Sequence, residues 1–348
     1  MRPWKRNSHA HARDTKPESS RTERVGTESA ALSNALTSGI EAKISQFLSD
    51  AGPLEPLLDY VASTRGKRIR PLCVIWSSSA CAAASGQEPS PDQVLDVAAM
   101  FELVHMASLV HDDIIDGAVT RRGVPTPHVI WGIHRAVLAG DYLFTRANKV
   151  ALAYSDLGIP ELINEAIELT CEGEVAQDER LYDCDVSREE YMAHICKKTA
   201  SLFGAACRAG AALAGAADTI SDSMTRFGME LGCAFQIMDD VRDLTSDQAS
   251  SGKPTCNDLR SGVLTLPLIH GMEGVARDLI RQGFALRSVD DSLVARIKDA
   301  CMGDGSIDRA RQDARNLART AASRLSCLPP SHGRSALLAL ASSVVEHN

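Results

Sequence analysis

The sequence predicts an all-α protein, one helical domain behind a polar leader. Three observations carry that reading. From about residue 29 onward Ala and Leu recur at helical spacing. Aromatic residues make up only 4% of the chain, and β-branched alternation over five or more residues is hard to find. The leader, residues 1–28, is rich in Arg, Lys, Ser and Thr without apolar periodicity, and reads as disordered. Asp14, Glu18 and Glu23 count against a mitochondrial transit peptide, and no apolar run suggests a secretory signal. His9 and His11 in this tail are expected to be solvated.

The domain, 29–348, is expected to place helices near 29–50, 68–84, 91–116, 129–155, 159–182, 187–215, 218–246, 263–275, 290–302, 305–326 and 331–346. The breaks fall on Gly52-Pro53, Pro89 to Pro91, Pro125 to Pro127, Gly252 to Pro254 and Pro329-Pro330, where turns replace helical backbone. No internal repeat of roughly 20 to 50 residues interrupts the pattern.

Composition narrows the function classes. The net charge of −8 argues against nucleic acid as a general partner, because phosphate backbones call for a basic surplus. No stretch reaches the roughly 20 uninterrupted apolar residues of a membrane span, which predicts a soluble, cytoplasmic protein. The ten cysteines are scattered without a C-x-x-C pair, as in a chain with reduced thiols. Cys171, Cys196, Cys207 and Cys233 fall in apolar stretches and are expected in the core.

Two aspartate clusters carry the chemistry. Asp112 and Asp116 are four residues apart and share a helix face, with Asp113 turned about 100° to one side. Asp239, Asp240 and Asp243 repeat the pattern. Each cluster closes a mostly apolar helix, Phe101 to Val110 in one case and Gly232 to Met238 in the other. Gathered carboxylates repel one another unless a cation neutralises them, and Mg²⁺ commonly bridges one or two carboxylates to substrate phosphates. Facing each other, the two clusters would hold several Mg²⁺ ions around one diphosphate. Cations for that anion are at hand. Gly66-Lys67-Arg68-Ile69-Arg70-Pro71 opens a helix whose first N–H groups attract anions, and Arg121-Arg122-Gly123 sits in a loop able to fold back over the site.

These segments, with Glu102 to Arg122, Gly140-Asp141-Tyr142, Lys198-Thr199, Phe235 to Asp243 and Gly252 to Pro267, resemble the trans-prenyltransferases of the polyprenyl diphosphate synthase family. The run from His105 to Asp116 resembles most the catalytic large subunit of heptaprenyl diphosphate synthases. The resemblance implies an isoprenoid-synthase helical bundle around a central cavity. It implies elongation of an allylic diphosphate with isopentenyl diphosphate, three Mg²⁺ ions per loaded site, and no organic cofactor. It further implies that Asp112, Asp116 and Asp239 ligate Mg²⁺, with Asp113, Asp240 and Asp243 completing or orienting the shell. Lys67, Arg70, His105 and Arg122 would grip isopentenyl diphosphate. Arg121, Lys198 and Lys253 would hold the allylic diphosphate, and Thr199 and Gln236 would lie beside the developing allylic cation. Val263 departs from the family, many members of which carry a lysine there. A homodimer is implied, or a heteromer with a small subunit, with product delivery at a membrane surface.

Chain length should be set below Asp112. Short-chain members block the tunnel with aromatics four or five residues before the first aspartate. Here Ser108 and Ala107 are small, Val104 lies two turns down, and Phe101, about 16 Å below, is either floor or core. The expectation is a C30 to C50 product, C35 favoured, serving as a quinone side chain. The alternative is a farnesyl or geranylgeranyl diphosphate synthase. A partner subunit would have lost an aspartate cluster, and a terpene cyclase would carry Asn/Ser/Glu in its second motif. A di-iron bundle built on Glu102 and His105 would need a second Glu-x-x-His, which is absent. Gln177, in the segment Glu172 to Gln177, is expected near the substrate chain, and His111 to be a packed helix position.

Overall fold

The computed structural model describes residues 35–64, 66–246 and 256–346. The leader and Lys253 therefore lie outside the described residues. The chain divides into two compact units, Met1–Gly39 and Ile40–Asn348. Of the first, only residues 35–39 are described, and they are helical. All that follows concerns the second.

The unit is almost wholly helical, as its Ala- and Leu-rich periodicity predicts. In chain order come α1 (40–48), α2 (Glu55–Ser63), α3 (Ile69–Ser85) and α4 (Pro91–Ile115). A small hairpin of β1 (Thr120–Arg121) and β2 (Val124–Pro125) leads into α5 (Pro127–Trp131), α6 (Ile133–Leu152), α7 (Ile159–Asp178), α8 (Arg188–Ile195), α9 (Ser201–Leu213) and α10 (Asp218–Thr245). Then follow α11 (Asn257–Ser261), α12 (Leu266–Met272), α13 (Arg277–Leu286), α14 (Asp291–Gly303), α15 (Ser306–Arg324) and α16 (His332–Glu346).

The central element is α4. Ser90 and Gln93 form a capping box at its start, with Pro91 in the first turn where a missing N–H costs nothing. From Val97 to Val104 every side chain is buried, so the helix is apolar all round. Among the described residues it is long and apolar enough to cross a membrane by length and composition alone, yet Asp92, Asp96, Glu102, Asp112 and Asp113 interrupt it and 67% of the apolar window is buried inside the protein. It is a core helix. α6 and α3 pack against it, α9 packs on α3, and α10 lies against both α9 and α15.

Three departures from the expected elements have local causes. α2 begins among prolines that read as breaks, although Pro56 in the first turn suits a helix. The run 129–155 splits at Gly132, whose φ of 82° no helix contains. The run 187–215 is interrupted by a π-helical turn, Cys196–Ala200, between α8 and α9. Two glycines crowd that turn. A β-carbon on Gly173 of α7 would lie 2.6 Å from the Lys198 nitrogen, and one on Gly232 of α10 would lie 2.6 Å from the Ala200 Cα. Both backbones thus press on the turn that carries Lys198 and Thr199. Single-turn π-bulges of this kind recur at functional sites.

Candidate active site

The two aspartate clusters occupy the C-terminal ends of α4 and α10, where the helix dipoles add partial negative charge to the carboxylates. Burial adds to the cost. Asp112 is pushed up to about 6, first by burial and then by Glu174, and burial likewise raises Asp116 and Asp239. Such an arrangement stores negative potential that a cation relieves.

The six aspartates divide into two groups. Among the described residues, neither Asp112 nor Asp116 makes a hydrogen bond or ion pair through its carboxylate. Asp239 has only Arg242, at 3.6 Å. The other three are engaged. Asp113, 2% exposed, accepts from Arg121 Nε at 2.7 Å. Asp243 accepts from the backbone N–H groups of Asn257 and Asp258, each at 3.1 Å, and so caps α11. Asp240 takes the Tyr191 hydroxyl at 2.6 Å and the Gln236 amide at 2.8 Å. Asp113, Asp240 and Asp243 therefore face protein donors, whereas Asp112 does not. The reason is geometric: on a helix, adjacent aspartates point about 100° apart.

Asp240 organises a small network. Thr199 donates to Gln236 Oε1 at 2.8 Å, Gln236 Nε2 donates to Asp240 Oδ1, and Tyr191 donates to Asp240 Oδ2. Every proton in the chain is directed toward the carboxylate. The lone pairs of Thr199 Oγ1 and Gln236 Oε1 are left as the polar face of the pair.

The hairpin gives Arg121 and Arg122 their places. Arg122 (φ 52°) and Gly123 (φ 81°) form the two-residue turn, the left-handed pair that matches strand twist. Tyr60 ties the hairpin down, its hydroxyl donating to the Pro125 carbonyl at 2.6 Å. The expected loop is thus an ordered hairpin.

Four cavities adjoin these groups; the smallest, ≈ 40 Å³, lies against Asp113, Arg121 and Arg122. One of ≈ 420 Å³ is lined by Lys67, Arg68, Arg70, Glu102, His105, Arg122 and Asp239, among others. It gathers the four residues that the sequence assigned to isopentenyl diphosphate. Burial lowers the Arg70 pKa, and its Nε is buried without a partner among the described residues while its guanidinium stacks 4.7 Å from the Phe203 centroid. Burial, and then Arg70, hold His105 well below its ordinary value, so it is neutral near pH 7. A second cavity, ≈ 160 Å³, shares Arg70 and His105 with the first and adds Asp112, Val104, Ser108, Phe144, Ile167, Leu202, Glu174 and Lys198. Lys198 pairs with Glu174 at 2.7 Å; burial disfavours its charge, but Glu174, Asp112 and Asp116 outweigh that and raise its pKa. The third, smaller, holds Lys198, Gln177, Gln236, Asp240, Asp258 and Val263. Gln177 accepts from Lys198 at 3.4 Å.

Among the chain-length candidates, Val104 and Ser108 line the second cavity, whereas Ala107 and Phe101 are fully buried in packed core and line no cavity described here. The two small residues face different ways round α4. Five residues before Asp112 lies about 140° round the helix, four lies about 40°. His111 is a packed position as expected, with Nε2 3.1 Å from the Val137 carbonyl oxygen and its ring against Phe144. Glu102 is bound to Arg68 rather than poised for iron. Sequence reasoning missed Arg68, Tyr191 and Glu174. Only Glu174, beside a glycine in a polar break of an apolar helix, left a visible signal.

Comparison with known proteins agrees with this geometry. Residues 52–300 match the family model described as polyprenyl synthetase. The octaprenyl diphosphate synthase of Escherichia coli is 35% identical over 89% of this chain and 95% of its own length. The short chain isoprenyl diphosphate synthase of Methanothermobacter thermautotrophicus is 36% identical over 88% and 94%. Among solved structures, the Caulobacter crescentus polyprenyl synthase complexed with calcium and isoprenyl diphosphate superimposes with a TM-score of 0.84, at 31% identity over 91% of this chain and 96% of that one. The heptaprenyl diphosphate synthase of Staphylococcus aureus gives 0.83, at 29% identity over 91% and 98%. On fold, motifs and full-length similarity alike, this chain belongs to the polyprenyl synthetase family.

Proposed function

We propose that this prenyltransferase condenses isopentenyl diphosphate with an allylic diphosphate, using Mg²⁺, to give an all-trans polyprenyl diphosphate of C30 to C50. The observation that carries the proposal is a pair of cavities that share Arg70 and His105: one is bordered by Asp112 and Lys198, the other by Asp239, Lys67 and Arg122. A cyclase needs only the first.

The donor set fits a hard divalent ion. Among the described residues no three His, Cys, Asp or Glu side chains are close enough to hold an ion alone, so diphosphate and water must complete each shell, as Mg²⁺ favours. Three ions per loaded site accord with two carboxylate clusters. Bound there, they neutralise charge on the departing diphosphate. Lys198 and Arg121 face the same group from the protein side. Asp113 holds Arg121 in place, and Glu174 holds Lys198. As the allylic C–O bond breaks, the lone pairs of Thr199 and Gln236 stabilise positive charge beside them. The basic cavity holds isopentenyl diphosphate so that its double bond meets the cation, a gain from positioning. The proton lost afterwards passes to the released diphosphate, which departs beside the new cation.

Small Ser108 beside the second cavity supports growth past C20. Relatives of different named chain length are equally similar in sequence, so wall residues rather than overall identity must decide. The exposed apolar side chains Val129, Ile130, Ile133, Val137 and Leu138 of α5 and α6 support a homodimer. Both clusters and the basic residues are retained, which supports the catalytic rather than the partner type of subunit. We read it as a cytoplasmic enzyme supplying quinone side chains at a membrane surface. The test is chromatography of products from farnesyl diphosphate and labelled isopentenyl diphosphate, with the purified chain alone, with and without Mg²⁺. A predominant C15 or C20 product, or no dependence on Mg²⁺, would overturn the reading.

A further inference from the structure

The basic cavity contains one buried carboxylate, Glu102, 3% exposed, among at least four cationic or potentially cationic groups. Its contact is Arg68, whose Nη1 lies 2.5 Å from Glu102 Oε1. Arg68 is buried as well, and its other edge meets Glu41 of α1 at 2.8 Å. The guanidinium is therefore clamped between α1 and α4 and cannot serve a ligand with those edges. The backbone of Arg68 is left-handed, φ 49° and ψ 38°, a conformation that residues with a β-carbon rarely adopt. That turn is where the chain enters α3, with Lys67 just before it and Arg70 one residue inside the helix.

Glu102 also stands one turn before His105 on α4. Burial disfavours charge on Arg70 and Arg122, and the Glu102 carboxylate opposes that penalty at both. One side chain thus touches the residue that shapes the Lys67–Arg70 loop and supports two further cations through space. Its position fixes the relation between α3 and α4 at the cavity.

We propose that Glu102, acting through Arg68, is the positioning residue of the cavity that takes the homoallylic diphosphate, setting affinity for that substrate and not for the allylic one. This rests on reading the cavity as the isopentenyl diphosphate subsite. The pair itself is protein to protein, so its role is to hold cations at the spacing of a diphosphate rather than to touch it.

The experiment is steady-state kinetics, with each substrate varied at saturating levels of the other, for the parent chain and for Lys67→Ala, Glu102→Gln, Glu102→Asp and Arg68→Lys. Lys67→Ala tests the subsite. It should raise the KM for isopentenyl diphosphate and leave that for farnesyl diphosphate unchanged; if it does not, the subsite reading fails. Given that result, Glu102→Gln should raise the isopentenyl diphosphate KM by about tenfold, with the farnesyl diphosphate KM and kcat within about threefold. Glu102→Asp and Arg68→Lys, which keep the charges, should recover part of that rise. A role confined to folding would instead lower kcat in proportion to active protein and leave both KM values alone, and that pattern overturns the proposal. Should Glu102→Gln fail to fold, the double variant Arg68→Met/Glu102→Met replaces the buried pair with apolar groups, which buried pairs commonly tolerate. The double variant must then show the raised isopentenyl diphosphate KM, and a parental value there would equally overturn the proposal.

Discussion

Asp113 holds Arg121 at 2.7 Å while its neighbour Asp112 turns its carboxylate to the cavity, so adjacent aspartates serve different tasks. Asp112→Asn should then lower kcat by about 10²-fold or more, because it removes charge at the metal side of the departing diphosphate. Asp113→Asn should leave the Mg²⁺ requirement intact and raise the allylic KM several-fold, since Arg121 loses its ionic tether. Initial rates titrated with MgCl₂ and with farnesyl diphosphate separate the two. Equal loss in both variants would show that the pair acts as one ligand set.

The Thr199–Gln236–Asp240 network makes a second prediction. Thr199→Val keeps the shape of the side chain but removes the hydroxyl that fixes the Gln236 carbonyl. We expect kcat to drop by about tenfold to a hundredfold with both KM values near parental, the mark of an interaction made in the transition state. Asp240→Asn should be worse. Its amide keeps an acceptor for only one of the Gln236 and Tyr191 donors and presents hydrogens to the other. Thermal melts alongside the kinetics would reveal whether Asp240→Asn acts through stability instead.

Under the proposed function, protons and Mg²⁺ compete at Asp112. An ordinary aspartate titrates near about 3.9, and burial raises Asp112 to about 6. Between those values the folded chain holds a proton that the unfolded chain has lost. Asp112 thus favours the metal-free fold at pH 5, and this contribution fades as pH rises through about 6. Asp116 and Asp239 shift in the same direction. Metal-free parent should lose melting temperature relative to Asp112→Asn between pH 5 and 7.5. The MgCl₂ concentration needed for half-maximal rate should fall over the same range. A flat pH profile for both quantities would contradict the raised carboxylates.

The apolar stripe on α5 and α6 leads to a further test. Ile133→Asp with Val137→Asp places two charges on an exposed face that touches no core, so the monomer fold should survive. Light scattering should show the parent as a dimer and the variant as a monomer. A monomeric parent would remove the basis for the stripe as an interface.

Much of this architecture was legible because it rests on local rules. The apolar run of α4 and its closing aspartates read directly as a buried helix with charge at its mouth. The same rules could not show that Asp113, Asp240 and Asp243 meet protein donors, since Arg121, Tyr191 and the α11 amides reach them from other elements, across a hairpin or between helices. The π-turn at Lys198 was also hidden, because the close approach of Gly173 and Gly232 to it comes from two other helices. Arg68 was hidden for a related reason. A basic run suggests a basic surface, and only packing shows that one of its members is clamped between two glutamates.

Product length offers the sharpest contrast between sequence and structure. The family resemblance made both Ala107 and Ser108 candidate wall residues; in the structure Ala107 is fully buried, while Ser108 borders the cavity. Ala107→Phe should therefore destabilise the protein, because overpacking a filled core commonly costs about 1–3 kcal/mol, and should leave the product distribution of the folded fraction unchanged. Ser108→Phe places the ring in the cavity one turn below Asp112, where it obstructs the growing chain. We expect products to shift to C15 or C20 with the Mg²⁺ requirement retained. Radiochromatography of both variants checks this. Shortening by Ala107→Phe alone would mean that the growing chain follows the other side of α4.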